Sequence, residues 1–256
     1  MPKKSLGQHF LSAPGVINDI IEAADIHKGE LIIEIGPGKG VLTRALLQKG
    51  ARVIAYEKDD WLSTELKEIF SEELQNGQLT LENKDFLEIK LPEKDYKVVA
   101  NIPYNITGLI LRKLFSSSHL PKKVVLMMQK EVVDRIIARD GKESLIGVSV
   151  KIYGTPRYIR TVKPGSFNPP PKVDSAVIAI DNISRSAFDT LPEETFFTLV
   201  KKGFSERRKQ LRNNLKEYKN MAQILNICNI PENIRAEDMN IDQWLCLSST
   251  ILQNQE

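Results

Sequence analysis

Apolar residues follow two rhythms along this chain. Short runs at 31–35 (LIIEI), 52–56, 79–82, 97–100 (KVVA) and 123–128 are dense in Ile, Val and Leu, the pattern of strands. The first and fourth are apolar almost throughout, so they should be covered on both faces and stand at the centre of a sheet. Residues 41–48 and 61–74 carry apolar positions at helical spacing and are long enough for crossover helices. Strands alternating with helices predict βαβ units around a mainly parallel sheet. After residue 151 the rhythm breaks. Pro156, Pro164 and the run Pro169, Pro170, Pro171 precede a strand-like VDSAVIAI at 173–180. Consecutive prolines exclude a helix and give a stiff extended segment. From Leu191 onward the periodicity is helical, which sets an expected boundary near Ile183 between domains 1–183 and 184–256.

Composition adds little until it is localised. With 256 residues and 41% hydrophobic content, the chain can bury a large core with a small appendage. The net charge is only +3, yet residues 201–219 hold eight Lys or Arg against two Glu. The remainder is therefore slightly acidic, and the basic segment points to a polyanionic partner. Cys228 and Cys246 are too few and too far apart in sequence for a disulfide framework or a common zinc pattern, and are expected to pack within helices in a reducing compartment. His9, His27 and His119 lack metal-ligand spacing, so no metal is expected. No segment carries the long apolar run of a membrane span. A cytoplasmic location, no membrane partner and a monomeric state are the expectations.

Candidate chemistry begins where 31–35 runs into GPGKG at 36–40. Glycines there permit a sharp turn and close approach of a ligand to the backbone. Glu57 ends the second strand 21 residues after Gly36, where a carboxylate can accept from both hydroxyls of a ribose. The loop reads E-x-G-x-G-x-G rather than the dinucleotide G-x-G-x-x-G. Glu34 before it suits a cationic sulfonium cofactor that has no pyrophosphate to cradle, and Gly36 and Gly38 provide the close approach. Asp85, after the third strand, can accept from an adenine amino group; read alone it is equally a helix N-cap.

The fourth strand ends in Asn101, Ile102, Pro103 and Tyr104. Ligands of open α/β sheets bind at the carboxyl ends of strands, so this tetrapeptide should face the cofactor. An Asn side-chain oxygen and a neighbouring backbone carbonyl can grip both N–H groups of a ring amine and aim its lone pair at a methyl carbon. Tyr104 can stack on the base. A turn is the plainer reading of Asn and Pro after a strand, but the glycine loop, Glu57 and Asp85 precede it in the order such a site requires.

These motifs resemble the ribosomal RNA adenine dimethyltransferase family over nearly the whole chain. The resemblance comprises GQHFL at 7–11, EIGPGKG at 34–40, YEKD at 56–59, NKD at 83–85, NIPYNI at 101–106, SFNPPPKVDSAV at 166–177 and GFSERRKQLRNNL at 203–215. It implies a class I S-adenosylmethionine-dependent methyltransferase fold, Rossmann-like with a seven-stranded sheet, and a small all-helical C-terminal domain. By similarity His9, Leu11, Gly36, Glu57, Asp85 and Asn101 bind S-adenosylmethionine, and Phe167 stacks on the target adenine opposite Tyr104; apart from the resemblance, Phe167 reads equally as a core ring anchoring the proline segment. The family often carries Asn where His9 stands. Arg207, Arg208, Lys209 and Arg212 are the expected RNA contacts, with Arg208 and Arg212 on one helix face. The tail resembles the bacterial small-subunit branch, which implies dimethylation of two adjacent adenosines in a hairpin near the 3′ end of 16S RNA within the immature 30S particle. A role in subunit assembly that does not require catalysis is compatible with the same residues.

Overall fold

The computed structural model describes residues 9–254. The chain forms two compact units, one ending at Val133 and resuming over Pro156–Ile183, the other made of Asp134–Thr155 and the residues from Ser184 onward. The division expected at Ile183 left Asp134–Thr155 with the first domain. Contacts instead place that segment with the C-terminal unit.

The first unit opens with β1 (Phe10–Leu11) and α1 (Pro14–Ala24). Strands β2 (Leu31–Ile35), β3 (Arg52–Tyr56) and β4 (Leu79–Glu82) are connected by α2 (Val41–Gln48) and by the pair α3 (Asp60–Ile69) and α4 (Ser71–Gln75). The single helix expected over 61–74 is interrupted at Phe70, whose backbone leaves the helical region and whose ring is fully buried. Next come β5 (Lys97–Asn101), α5 (Thr107–Phe115), β6 (Lys123–Gln129) and α6 (Lys130–Ile137). Helix α7 (Leu145–Lys151) precedes β7 (Thr155–Val162), β8 (Phe167–Asn168) and β9 (Ser175–Asp181).

Seven strands form one sheet in the order β4-β3-β2-β5-β6-β9-β7. The run from β4 to β6 is parallel, and β9 is antiparallel to β6. Strands β2 and β5 are adjacent near the centre, as their unbroken apolar character requires. Reversal of strand order between them opens a crevice at their carboxyl ends. Separately, β1 pairs antiparallel with β8, Leu11 opposite Phe167. Between β8 and β9 the three prolines form neither helix nor strand; the chain bends at Pro169, after a cis Asn168–Pro169 peptide.

The second unit contains α7 together with α8 (Glu193–Gly203), α9 (Leu211–Asn214), α10 (Met221–Ile227) and α11 (Ile241–Gln253). Its core centres on Phe196, Leu199, Leu211, Leu215 and Trp244, none more than 1% exposed. A Cβ at Gly203 would come within 2.4 Å of Trp244, so the approach of α8 to α11 excludes any larger residue. Asn240 and Gln243 start α11 with a capping box. Packing of these helices also corrects the cysteine expectation. Cys228 and Cys246 have Cα atoms 5.7 Å apart and are joined as a disulfide, because α10 and α11 bring together residues that sequence distance separates. Among the described residues no helix is long and apolar enough to cross a membrane.

Candidate active site

The carboxyl ends of β2, β3 and β5 border a cavity of about 520 Å³ lined by the glycine loop, the 101–106 segment, Glu57, Asp85 and residues 9–11. A more open recess of about 730 Å³ adjoins it and shares Tyr56, Lys58, Lys84 and Asp85. Of the expected cofactor residues, His9, Leu11, Glu34, Gly36, Gly38, Glu57, Asp85 and Asn101 all line the first cavity. Gly7 and Gln8 of the GQHFL motif lie outside the described residues.

The loop is held in place by its own backbone. Gly36 N–H donates to Tyr56 O at 2.9 Å, and Gly38 N–H donates to Glu57 Oε2 at 3.1 Å. Gly36 has φ +63° and a Cβ there would meet nothing within 4 Å, so the missing side chain leaves room at the cavity wall. Gly40 is required for a different reason, since a Cβ would lie 2.4 Å from Phe70. Glu57 Oε1 accepts from Asp59 N–H at 2.9 Å, while Asp59 caps α3 through Trp61 N–H and Leu62 N–H. Burial raises the Glu57 pKa, and the Asp59 and Gly38 N–H groups draw it back. Each carboxylate oxygen keeps a further lone pair for a ribose hydroxyl.

Glu34 is the less ordinary carboxyl. It is 1% exposed, and its Oε2 has no hydrogen-bond partner, nor has the nearby Thr43 hydroxyl. Burial, reinforced by the Glu57 charge, pushes its pKa up to about 8 against the opposing influence of Thr43. Asp85 is held in the opposite direction. Lys58 Nζ lies 2.6 Å from Oδ2 and lowers its pKa, and Leu87 N–H donates to Oδ1 at 2.9 Å. The latter bond closes a local turn; no helix follows Asp85 before β5, so the helix-cap alternative falls and the side chain borders the cavity.

Asn101 ends β5, and its Nδ2 donates to His9 O at 3.3 Å. That assignment turns Oδ1 into an acceptor for which the described residues provide no hydrogen-bond donor. Ile102 N–H continues the sheet by donating to Met127 O at 3.1 Å. The Pro103 carbonyl receives only a long 3.4 Å bond from Ile106 N–H. Pro103 and Asn105 are exposed, whereas Ile102 is buried. Tyr104 is half-buried, its hydroxyl hydrogen-bonded to Ser175 Oγ and its ring 6.2 Å from the His9 ring at 27°. His9 in turn donates from Nδ1 to Pro169 O at 2.9 Å. Sequence reasoning missed this anchoring of Tyr104 by Ser175 and of His9 by the proline segment, because each joins residues far apart in the chain.

Phe167 departs from its expected role. It is 4% exposed, faces Leu11 across the β1–β8 pair, belongs to the apolar core with Val162 and Val177, and does not line the cavity. The expected RNA contacts also change setting. Helix α9 covers only Leu211–Asn214, so Arg208 stands in the preceding turn and does not share a helix face with Arg212. Lys209 pairs with Glu206 at 2.8 Å and Arg212 with Glu232 at 3.1 Å. Arg207 and Arg208 are exposed, with no acidic partner among the described residues.

A doubly wound sheet, an acidic residue before a glycine turn and a second carboxylate after the next strand define a Rossmann-like S-adenosylmethionine-dependent methyltransferase. Residues 2–253 match the family model for ribosomal RNA adenine dimethylase, and the chain belongs to that family. Two curated relatives are each called ribosomal RNA small subunit methyltransferase A. One, from Dehalococcoides mccartyi, is 38% identical, with 96% of this chain and 87% of the relative covered. The other, from Acaryochloris marina, is 39% identical, with 99% and 98% covered. A crystal structure of a dimethyladenosine transferase from Plasmodium falciparum superposes with a TM-score of 0.81 at 29% identity, covering 93% of this chain and 96% of the other.

Proposed function

We propose that this enzyme dimethylates N6 of two adjacent adenosines in a hairpin near the 3′ end of 16S ribosomal RNA, within the immature 30S particle in the cytoplasm. The carrying observation is the position of Asn101 and Pro103 on the wall of the cavity that Glu34, the glycine loop and Glu57 also line. In this reading His9, Leu11, Gly36, Gly38, Glu57 and Asp85 hold S-adenosylmethionine, and Glu34 faces its positive charge. An unpaired buried Glu34 oxygen and the open side of Gly36 fit a cationic nucleoside cofactor.

The cofactor supplies a methyl group on a sulfonium, so the protein needs no nucleophile of its own. Asn101 Oδ1 and the Pro103 carbonyl orient the amine by accepting its N–H groups. After one transfer N6 retains one N–H for these acceptors; after the second it has none. The base must leave its stack at a cost of a few kcal/mol. Tyr104, fixed by Ser175, offsets that cost by stacking, worth about 1 to 3 kcal/mol. Arg207 and Arg208, with Lys209 and Arg212, contact phosphates, and the protein acts as a monomer.

Immature 30S particles treated with the enzyme should yield N6,N6-dimethyladenosine on mass spectrometry of digested RNA, and 50S particles should not. Asn101→Ala should reduce turnover roughly 10²-fold, the scale of lost positioning, with a smaller effect on cofactor affinity. Methylation of cytosine or ribose, or full activity in Asn101→Ala, overturns the reading.

A further inference from the structure

Two carboxyl groups border the cavity from neighbouring strands, and the protein treats them differently. Glu57 has one oxygen on Gly38 N–H and the other on Asp59 N–H. Glu34 is more deeply buried than Glu57, and its Oε2 has no partner. Only Thr43 opposes the cost of burying the Glu34 charge; one oxygen has no partner and no described cation pairs with it, so the ionised form is disfavoured and protonation removes the cost. Paired acids whose surroundings differ in this way separate in protonation state. The other titratable or charged groups around the cavity are Lys39 in the glycine loop, Tyr56 and Lys58 at the end of β3, Lys84 and Asp85 beyond β4, and His9 and Tyr104. Lys58 is paired with Asp85, and Lys39 is directed over the Phe10 ring at 5.1 Å. None of them forms an ion pair with Glu34 among the described residues.

We infer that Glu34 stands protonated in the cofactor-free protein and ionises when S-adenosylmethionine binds, giving its proton to solvent, so that the site distinguishes the cationic cofactor from its neutral-sulfur product. The inference rests on the cofactor reading above. Its balance is simple: the Glu34 carboxyl loses one proton to water, and the resulting carboxylate faces the incoming positive charge. S-adenosylhomocysteine has the same amino acid and nucleoside but no sulfonium. With that charge absent, Glu34 keeps its proton. The burial that raises the Glu34 pKa to about 8 places the ionisation within reach of neutral solution. Product would therefore leave a site in which Glu34 has taken a proton back from solvent.

Isothermal titration calorimetry of the whole protein in buffers of different ionisation enthalpy counts the proton directly. At pH 7, S-adenosylmethionine should release most of one proton per site, and the count should fall as the pH is raised and free Glu34 ionises by itself. S-adenosylhomocysteine should release none under the same conditions. Glu34→Gln should still bind both ligands, release no proton with either, and narrow the affinity ratio between them by about tenfold. Binding of S-adenosylmethionine with no buffer-dependent heat overturns the inference and leaves the cofactor site standing. Equal proton release from wild type and Glu34→Gln overturns it in the same way. If neither ligand binds the wild-type protein, the cofactor reading falls and the inference with it.

Discussion

Glu57 serves two purposes at once, since the carboxylate that shapes the loop is also the one offered to the ribose. Glu57→Ala removes the acceptor for Gly38 and Asp59 N–H as well as for the ligand. Cofactor affinity should fall by about 1 to 3 kcal/mol, the range for hydrogen bonds to a charged group, and calorimetry should show it in a protein whose circular dichroism is unchanged. Glu34 has the opposite relation to stability. Its pKa rises from 4.5 in the unfolded chain to about 8 in the fold. Below pH 4.5 both states hold the proton and nothing is lost. As pH rises from there to 8, the unfolded chain ionises first, so stability declines by up to about 1.4 kcal/mol per pH unit and then levels. Glu34→Gln should remove that decline. Denaturant melts at a series of pH values test it: wild type and variant should be closest near pH 4 and diverge toward pH 8. Parallel curves would show that Glu34 is ionised in the fold.

Elements were legible where one rhythm dominated. Strands β2, β3 and β4 and helix α2 begin and end at the expected residues, because uniform apolar runs and a clean helical repeat leave no competing register. The break at Phe70 was not visible, since the residues around it keep helical spacing and only the fit of its ring beneath Gly40 dictates the interruption. Strand β7 was missed as well. Its TPRYIRTV sequence has a proline at its second position and its burial alternates only weakly. The β1–β8 pair is two residues long on each side and joins positions more than 150 apart, so local pattern could not show it. That pair decides how Phe167 should behave. A ring 4% exposed in the core is a structural residue, and Phe167→Ala should cost about 3 to 5 kcal/mol of stability. Urea denaturation should show a lower midpoint with an unchanged slope. A variant as stable as wild type but unable to methylate would instead restore Phe167 to the base-stacking role.

At the scale of the whole molecule, the candidate cofactor and base-positioning residues all come from the first unit, while the basic segment 201–219 lies in the second. The sequence marked the Ile183 crossing by the end of β-rich pattern. It gave no sign of the two earlier ones, near Val133 and Thr155, because the intervening helix α7 has the composition of either unit. Local charge was legible, but its availability was not. Lys209 and Arg212 each hold an acidic neighbour, whereas Arg207 and Arg208 stand exposed in a turn that Asn214 ties down by donating to Gly203 O at 2.6 Å and Glu206 O at 3.2 Å. A cation already paired must leave or share its carboxylate to neutralise a phosphate, and the carboxylate then repels the same RNA. Arg207→Ala and Arg208→Ala should therefore each lower the slope of log affinity against log salt by about 0.7 to 0.9. Lys209→Ala and Arg212→Ala should change it less. Both effects should fall on binding of the particle and spare methylation at saturating substrate. Filter binding of immature 30S particles across a salt series measures the four slopes. Equal slopes for all four variants, or a slope like wild type in the double Arg207→Ala, Arg208→Ala variant, would assign this basic turn to solvent.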